Sequence, residues 1–352
     1  HGSSIFTYIC PESGKEFDVL GTMEDVPAAK LVSDRFEVGR NFCNKLLNAA
    51  RFALMNLEGV SFEPRELEDL AVEDRWLLSR LALAIEAVDE QLESYSPAAA
   101  ISLAREFFWS ELCDWYLEFI KPRMRDAEKA PLARQVLAVA LDQVLRLLHP
   151  FVPFITEFLW ERLGEEAPER GVGDQLGVPE LLVHAPWPQA AAGWRDQDLE
   201  KRFEFLQEII RAIRDIRSKN EIPLADKLPV RIRADEDRRK QLEPLADLLV
   251  HMGVLESLEI AGDVERTSDS AVAVVRDVDI YIPGAIDMEK ERARLLKQRD
   301  QLSGRVEGAK KKLANENFVS KASPDVVERE RERVIELEAE LDKVEANLSS
   351  LD

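Results

Sequence analysis

Basic and amide side chains form four groups in this sequence, and they are its clearest candidates for binding chemistry. Guanidinium and ammonium groups bind phosphate oxygens, and the planar guanidinium also stacks on flat rings. The groups are Arg40, Asn41 and Asn44; Lys121, Arg123 and Arg125; Arg211, Arg214 and Arg217; and Lys310, Lys311, Lys312 and Lys321. Asparagine is unfavourable inside a helix, so polar contact with a ligand or RNA is the specific interpretation of the first group. A solvated or salt-bridged surface is the alternative for the first, third and fourth groups, and it stays open here.

The charge balance limits where such binding can occur. The chain of 352 residues has a net charge of −21, so it repels anions as a whole and attracts them only at local basic patches. Its three cysteines, an odd number, indicate a reduced, cytoplasmic protein. A zinc knuckle after Cys10 would need a second cysteine where the sequence has Ser13, so no metal is expected. No apolar run reaches the roughly 18 residues of a membrane span, so no membrane is implied.

An aromatic-rich helix predicted over residues 101–120 organises the first half of the chain. Its apolar residues recur every three or four positions and cover most of its circumference, which indicates the central helix of a bundle. The same periodicity predicts helices over residues 33–57, 73–93 and 129–148, and a short helix from Pro153 to Trp160. Short connections favour an antiparallel bundle. The stripe expected to be buried in the first helix comprises Phe36, Gly39, Cys43, Leu46, Ala50, Leu54 and Leu57.

In the second half of the chain the spacing of the apolar residues changes twice. Residues 164–195 are predicted to form a packed crossing loop, and residues 198–220 a helix that carries the arginine stripe. Residues 228–286 alternate like strands around one helical segment, which predicts a small β-α-β-β domain. Two heptad patterns within residues 287–352 predict an antiparallel coiled-coil hairpin. Each arm of this hairpin is expected to be about 40 Å long.

The two arms of the predicted hairpin differ in charge. Residues 288–315 hold nine basic and four acidic residues, a net charge of +5, whereas residues 324–352 hold four basic and ten acidic residues, a net charge of −6. Some of this charge is expected to pair between the arms. The lysines at 310–312 and 321 have no matching acidic run opposite, so we predict that they attract phosphate. The alternative is that they keep the tip soluble.

Three motifs in the predicted bundle resemble the anticodon-binding domain of bacterial valyl-tRNA synthetases. They are Gly39–Phe52, Phe108–Glu118 and Leu145–Glu157, in the order that the family has. Isoleucyl and leucyl synthetases share such a bundle and remain alternatives on these motifs alone. The hairpin motif Leu313–Ala322 is distinctive of valyl-tRNA synthetases and favours that family.

The resemblance implies that the bundle binds the anticodon end of tRNA and that the arm reaches the elbow of the L-shaped molecule. On those surfaces we predict anticodon contacts from Arg40, Asn41, Asn44, Lys121, Arg123 and Arg125, a backbone ridge of Arg211, Arg214 and Arg217, and elbow contacts from Lys310, Lys311, Lys312 and Lys321. The implied partner is tRNA(Val), bound by a monomer, and no DNA binding is implied.

The motifs with which a class I synthetase holds ATP, of the His-x-Gly-His and Lys-Met-Ser-Lys-Ser types, do not occur in the sequence. The parent enzyme would join valine to tRNA with ATP and Mg²⁺, whereas this chain is expected to bind tRNA without catalysis and without a cofactor. The competing class is a structural coiled-coil scaffold protein with a helical head.

The expected fold is mainly α, with an antiparallel helical bundle of the anticodon-binding type, a small α+β domain and a C-terminal antiparallel coiled-coil hairpin. The predicted domains are an N-terminal hairpin and linker (1–32), the bundle (33–165), the crossing loop with the basic helix (166–227), the β-α-β-β domain (228–286) and the tRNA-binding arm (287–352).

Overall fold

Helices dominate the chain, and a small mixed sheet accompanies them, which confirms the predicted fold class. The computed structural model describes residues 7–9, 16–18, 34–57, 60–191, 193–286, 288–315 and 324–349. The chain divides into two compact units. Unit one consists of His1–Leu67, Ala84–Trp109 and Arg123–Gln189, and unit two of Glu68–Leu83, Ser110–Pro122 and Ala190–Asp352. The five-part domain division remains a prediction.

The first elements of the chain match their predicted positions. Strands β1 (Thr7–Ile9) and β2 (Glu16–Asp18) pair antiparallel, as the predicted N-terminal hairpin requires. The helices that follow are α1 (Asp34–Leu57), α2 (Val72–Glu93), α3 (Pro97–Glu106), α4 (Leu117–Met124), α5 (Ala130–Leu148) and α6 (Pro153–Glu166). A wide-turn π-helix, Phe107–Tyr116, joins α3 to α4, so the aromatic segment is helical throughout.

Helix α5 is the centre of unit one. It is buried along nearly its whole length and packs against α1, α3 and α6. The stripe predicted for α1 is partly wrong: Gly39 is exposed and Cys43 is half-buried, whereas Phe42 is buried. The ring of Phe42 meets Phe108 edge-on at 5.8 Å, and an aromatic pair buries far more apolar surface than glycine or cysteine.

A buried charge cluster attaches the crossing loop to unit one. The carboxylate of Asp142 accepts a hydrogen bond from Nε of Arg146 at 2.6 Å and lies 3.1 Å from Nε of Arg170. Arg146 also donates to two loop carbonyls, those of Gly177 at 2.7 Å and Pro186 at 3.0 Å. Burial lowers the pKa of the Arg170 guanidinium, and the Asp142 charge opposes that shift. The loop is therefore packed, as predicted, and it contains the two-residue strands β3 (Gly171–Val172) and β4 (Asp174–Gln175).

The next helix is α7 (Gln197–Lys219). Three aromatic rings, one each from α2, α4 and α7, pack together in the core of unit two. Trp76 stacks on Phe203 with ring centroids 4.9 Å apart, and Phe119 meets both rings edge-on at 5.7 Å. Helix α4 continues through Pro122 to Met124, beyond the end of the helix that the sequence predicted over residues 101–120. Proline lacks the N–H that would bond the carbonyl of Glu118, and Nε2 of His251 donates to that carbonyl at 3.0 Å instead.

The small domain of unit two contains two helices and four strands, whereas the predicted β-α-β-β order has one helix and three strands. Its elements are β5 (Leu228–Arg233), α8 (Glu236–Leu242), α9 (Ala246–Gly253), β6 (Leu255–Ala261), β7 (Ala271–Val275) and β8 (Val278–Ile282). The strand order is β6-β5-β8-β7, with β5 parallel to β6 and the other pairs antiparallel. Helix α7 packs against β7 and α9, so the domain and the basic helix share one core.

Two long helices, α10 (Met288–Ala314) and α11 (Pro324–Ser349), form the arm. Their seam buries Leu295, Leu302, Val306, Leu337 and Val344. Lys312 pairs with Glu330, and Lys310 pairs with Glu338. Residue numbers therefore run in opposite directions along the two helices, which makes them antiparallel. The antiparallel coiled-coil hairpin and its heptad positions are therefore confirmed for the described residues.

Candidate nucleic-acid interface

The polar face of α1 is exposed as the sequence predicted. Arg40, Asn41 and Asn44 all lie outside the core, on the side of the helix away from Phe42 and Leu46. Arg40 makes an ion pair with Glu37 at 3.6 Å, and 64% of its side chain is exposed. Exposed pairs of this kind contribute about 0–1 kcal/mol, so Glu37 does not prevent Arg40 from binding a ligand.

Sequence reasoning missed a stacked pair on unit one. The ammonium group of Lys45 lies 3.6 Å from the ring centroid of Trp109, a cation–π arrangement. Trp109 is half-buried, although the sequence suggested that it widens the apolar core of its helix. Lys45 follows Asn41 by one helical turn, so the sequence could have placed Lys45 on the same polar face of α1. No sequence pattern identified the ring that it covers.

The cations that end the central helix differ in their surroundings. Lys121, in unit two, donates to both carboxylate oxygens of Glu118 at 2.6 and 2.7 Å. Arg123 and Arg125 belong to unit one, where Arg123 is half-buried and Arg125 is exposed. Arg125 has no ion-pair partner within the described residues. It is the member of this group with the most accessible charge.

Two of the three arginines on α7 form an exposed pair over one indole ring. The guanidinium carbons of Arg211 and Arg214 lie 5.5 and 5.6 Å from the ring centroid of Trp115. Both side chains are exposed, and neither makes an ion pair with an acidic residue in the described part of the chain. Stacking on the buried ring restricts both guanidinium groups, which lowers the entropy that binding would cost.

The prediction that Arg217 belongs to this exposed ridge is wrong. Arg217 is 3% exposed, and its guanidinium donates to the carbonyls of Pro223, Asp226, Gly253 and Val254 at 2.8–3.2 Å. Burial lowers the pKa of this group, partly offset by the Asp226 charge. Three residues advance the helix by about 300°, so a series at this spacing rotates around α7 and its last member meets the core.

A polar cavity of about 470 Å³ lies beside this ridge within unit two. Most of its charged groups neutralise one another. Arg80 contacts Glu111 at 2.8 Å and Glu200 at 3.5 Å, and Arg195 contacts Glu200 at 3.3 Å. The cavity therefore adds little attraction for an anion to that of Arg211, which lines its rim.

The expectation that the arm lysines face no acidic partners is wrong for the described residues. Lys310 pairs with Glu338 at 2.5 Å and Lys312 with Glu330 at 3.0 Å, both across the hairpin. Lys311 pairs with Glu307 on its own helix at 2.6 Å. The sequence count missed these partners because they are spread along α11 rather than clustered. Lys321 lies outside the described residues.

Within the described ranges, no three His, Cys, Asp or Glu side chains are placed to hold a metal ion. No helix there is long and apolar enough to cross a membrane. Cys10 lies outside the described residues.

Comparison with known proteins identifies the bundle and the hairpin. Residues 74–232 match the family model of the anticodon-binding domain of tRNA ligase, and residues 287–352 match that of the valyl tRNA synthetase tRNA binding arm. The chain is 38% identical over 352 residues to a valine–tRNA ligase of Rhodopirellula baltica, an alignment that covers 97% of this chain and 34% of that protein. For the valine–tRNA ligase of Petrotoga mobilis the identity is 36%, covering 92% of this chain and 36% of the relative. For the valine–tRNA ligase of Bacillus subtilis the identity is 33%, and the alignment covers 90% of this chain and 36% of the relative.

The bundle and the matched domains define the class: the chain corresponds to the tRNA-binding region of class I aminoacyl-tRNA synthetases. The match of the arm and the names of the similar proteins then indicate one family within this class. The chain belongs to the valine–tRNA ligase family, and it spans about a third of the length of the curated relatives that it matches. These matches favour the synthetase interpretation over a coiled-coil scaffold, and the valyl family over the isoleucyl and leucyl families.

Proposed function

We propose that this chain binds tRNA(Val), with the polar face of α1 and Arg125 directed to the anticodon end and with Arg211 and Arg214 on the sugar–phosphate backbone. The observation that carries the proposal is the pair of exposed arginines over Trp115. In a chain with a net charge of −21, neither Arg211 nor Arg214 makes an ion pair among the described residues. The charge of Arg211 does act on Glu208 nearby, so Arg214 is the member of the pair whose attraction for phosphate is least offset.

The wider activity is proposed for the longer ligase rather than for this chain. There, valine would be joined to tRNA with ATP and Mg²⁺, in the cytoplasm. This chain would supply tRNA binding as a monomer. Asn41, Asn44 and Lys121 remain proposed anticodon contacts together with Arg40 and Arg123.

The test compares two single-charge changes on α7 in a titration with an unmodified tRNA(Val) transcript. Arg214→Ala removes an unpaired cation and should weaken binding and lower the slope of log K against log salt by about one unit. Lys201→Ala is the matched control, because Lys201 already pairs with Asp198 at 3.2 Å on the same helix.

The control should keep the wild-type salt slope. A non-cognate tRNA, titrated in parallel, measures how much of the affinity depends on the anticodon. Equal slopes for wild type and Arg214→Ala would contradict the assignment of the ridge, and absence of wild-type binding would contradict the function.

A further inference from the structure

We propose that the arm contacts RNA through a mixed-charge groove lined by Arg305 of α10 and, on α11, by Arg329, Arg333, Glu332, Glu336 and Glu340, and that this groove recognises ribose as well as phosphate. The proposal rests on the tRNA-binding function proposed above. It assigns the contact to a different surface from the lysine cluster, namely residues 310–312.

The cations of the groove come from both helices and lack close acidic partners. Arg305 on α10 and Arg329 on α11 are exposed, and neither has a carboxylate within 4.0 Å in the described part of the arm. Arg333 reaches Glu330 only at 3.9 Å, and Glu330 already holds Lys312 at 3.0 Å. All three arginines line one groove of about 400 Å³. They are therefore available to anions at a single concave place.

The acidic residues of the groove are regularly spaced. Glu332, Glu336 and Glu340 follow one another at four-residue intervals, so they lie on one face of α11. They line the groove without making an ion pair within the described residues. Beneath them Leu337, 5% exposed, belongs to the buried seam of the hairpin. The seam holds the helix backbones in place, so the charges of the groove keep their spacing.

Opposite charges that line one groove without pairing with each other fit the chemistry of an RNA strand. Each nucleotide presents a phosphate, which accepts hydrogen bonds from guanidinium groups, and a 2′-hydroxyl, which donates to a carboxylate. DNA presents the phosphate alone. A groove with three arginines and three glutamates is therefore suited to a ribose–phosphate backbone, whereas a purely basic groove would bind either nucleic acid.

The lysine cluster is less suited to the same task. Each of its three ammonium groups has a glutamate within 3.0 Å, so a phosphate arriving there meets a carboxylate beside every cation. Repulsion from that carboxylate offsets the attraction of the lysine more than at Arg305 and Arg329, which have no carboxylate within 4.0 Å in the described part of the arm. The lysine cluster therefore provides a matched control on the same arm.

The experiment uses the full chain, an unmodified tRNA(Val) transcript and a DNA oligonucleotide of the same sequence. In the first comparison, Arg305→Gln with Arg329→Gln should lower the slope of log K against log salt by about two units, one for each lost phosphate contact. Lys310→Gln with Lys312→Gln removes the same charge from the arm and should leave the slope near the wild-type value. Helical circular dichroism checks that both proteins keep the arm.

The second comparison addresses ribose. Glu336→Ala with Glu340→Ala should raise affinity for both nucleic acids, because two negative charges are lost, but should reduce the preference for RNA over DNA by about tenfold. Glu307→Ala with Glu338→Ala removes two carboxylates outside the groove and should preserve that preference. The preference is a ratio, so a general electrostatic change does not affect it.

The possible outcomes distinguish failure of the groove proposal from failure of the proposed tRNA-binding function. If the wild-type chain binds tRNA and the arginine variant keeps its slope, the groove is not the contact. If the lysine variant loses slope instead, the lysine cluster is the contact. An unchanged RNA preference in the Glu336 and Glu340 variant contradicts ribose recognition. No binding by the wild-type chain contradicts both the groove and the function on which it rests.

Discussion

At the scale of single residues, arginines that look alike in sequence take opposite roles in the structure. Arg214 stacks on Trp115 and faces solvent, whereas Arg217, one turn later on α7, is buried among backbone carbonyls. Those carbonyls belong to the segment after α7 and to the end of α9. A single guanidinium therefore joins the basic helix to the small domain.

Arg217→Ala should destabilise the protein. The change leaves four carbonyl groups without their donor, and buried acceptors without a partner cost about 1–3 kcal/mol each when water cannot reach them. Because part of this region can rehydrate, we expect a loss of about 2–4 kcal/mol in the free energy of unfolding, measured by urea denaturation.

Arg214→Ala is the control for this change, because it alters the same residue type on the same helix at an exposed position. Its free energy of unfolding should stay within about 0.5 kcal/mol of wild type. Equal stabilities for the two variants would mean that the buried hydrogen bonds contribute nothing.

At the scale of elements, the arm depends on its seam rather than on its surface pairs. Leu302 is 5% exposed and lies in the seam, whereas Ile335 on the partner helix is 66% exposed. Ion pairs such as Lys311 with Glu307 are exposed on both sides, so they contribute little to stability. Apolar burial therefore decides whether the hairpin forms.

Leu302→Ala should weaken the arm by about 2–5 kcal/mol through lost burial and the cavity left in the seam. Hydrogen exchange of α10 and α11 is the direct measurement, since opening of the arm need not unfold the rest of the chain. Ile335→Ala, a comparable loss of apolar volume at the surface, should leave the exchange protection unchanged. Similar deprotection in both variants would contradict the seam.

A clamp between α7 and the β7–β8 turn should make stability depend on pH. Nε of Arg276 donates to Glu208 at 2.7 Å, and its Nη2 donates to Glu204 at 3.1 Å. The hydrogen bond from Arg276 lowers the pKa of Glu208 below its ordinary value of 4.5, against an opposing effect of burial. Glu208 therefore stabilises the fold above that value, and its contribution is lost as the pH falls through the lower folded pKa.

The prediction concerns the difference in unfolding free energy between wild type and Glu208→Gln. Other carboxyl groups titrate in both proteins, so the difference isolates this one. It should be largest near pH 6–7 and should shrink between about pH 5 and pH 3, measured by urea denaturation at each pH. A difference that stays constant over this range would contradict the clamp.

At the scale of the whole molecule, an acidic chain must bind an anionic partner through few and separate places. The net charge of −21 repels RNA in general, while the exposed cations at Arg125, Arg211, Arg214 and the arm groove attract it locally. Such binding is expected to weaken steeply with salt. It should also favour a partner whose shape reaches several of these places.

The isolated chain should not activate valine. Its sequence lacks the nucleotide-binding motifs of class I synthetases, and the two matched family models describe tRNA-binding regions. Valine-dependent exchange of pyrophosphate into ATP should therefore stay at background with the purified chain. Exchange well above background, with a preparation free of full-length ligase, would overturn this prediction.

Periodicity in the sequence determined the elements, because burial of apolar side chains repeats at 3.6 residues in a helix, at 2 in a strand and at 3.5 in a coiled coil. The bundle helices, the change to a small α+β domain and the heptad seam all followed from it, and the motif resemblance indicated the family. Only the tertiary structure decided which charges stay free. Arg217 meets carbonyls from the segment after α7 and the end of α9, the lysines of the arm meet glutamates on α11 and α10, and Trp109 lies under Lys45 from α1. Most of these partners are distant along the chain, and a pattern within one segment contains no information about them.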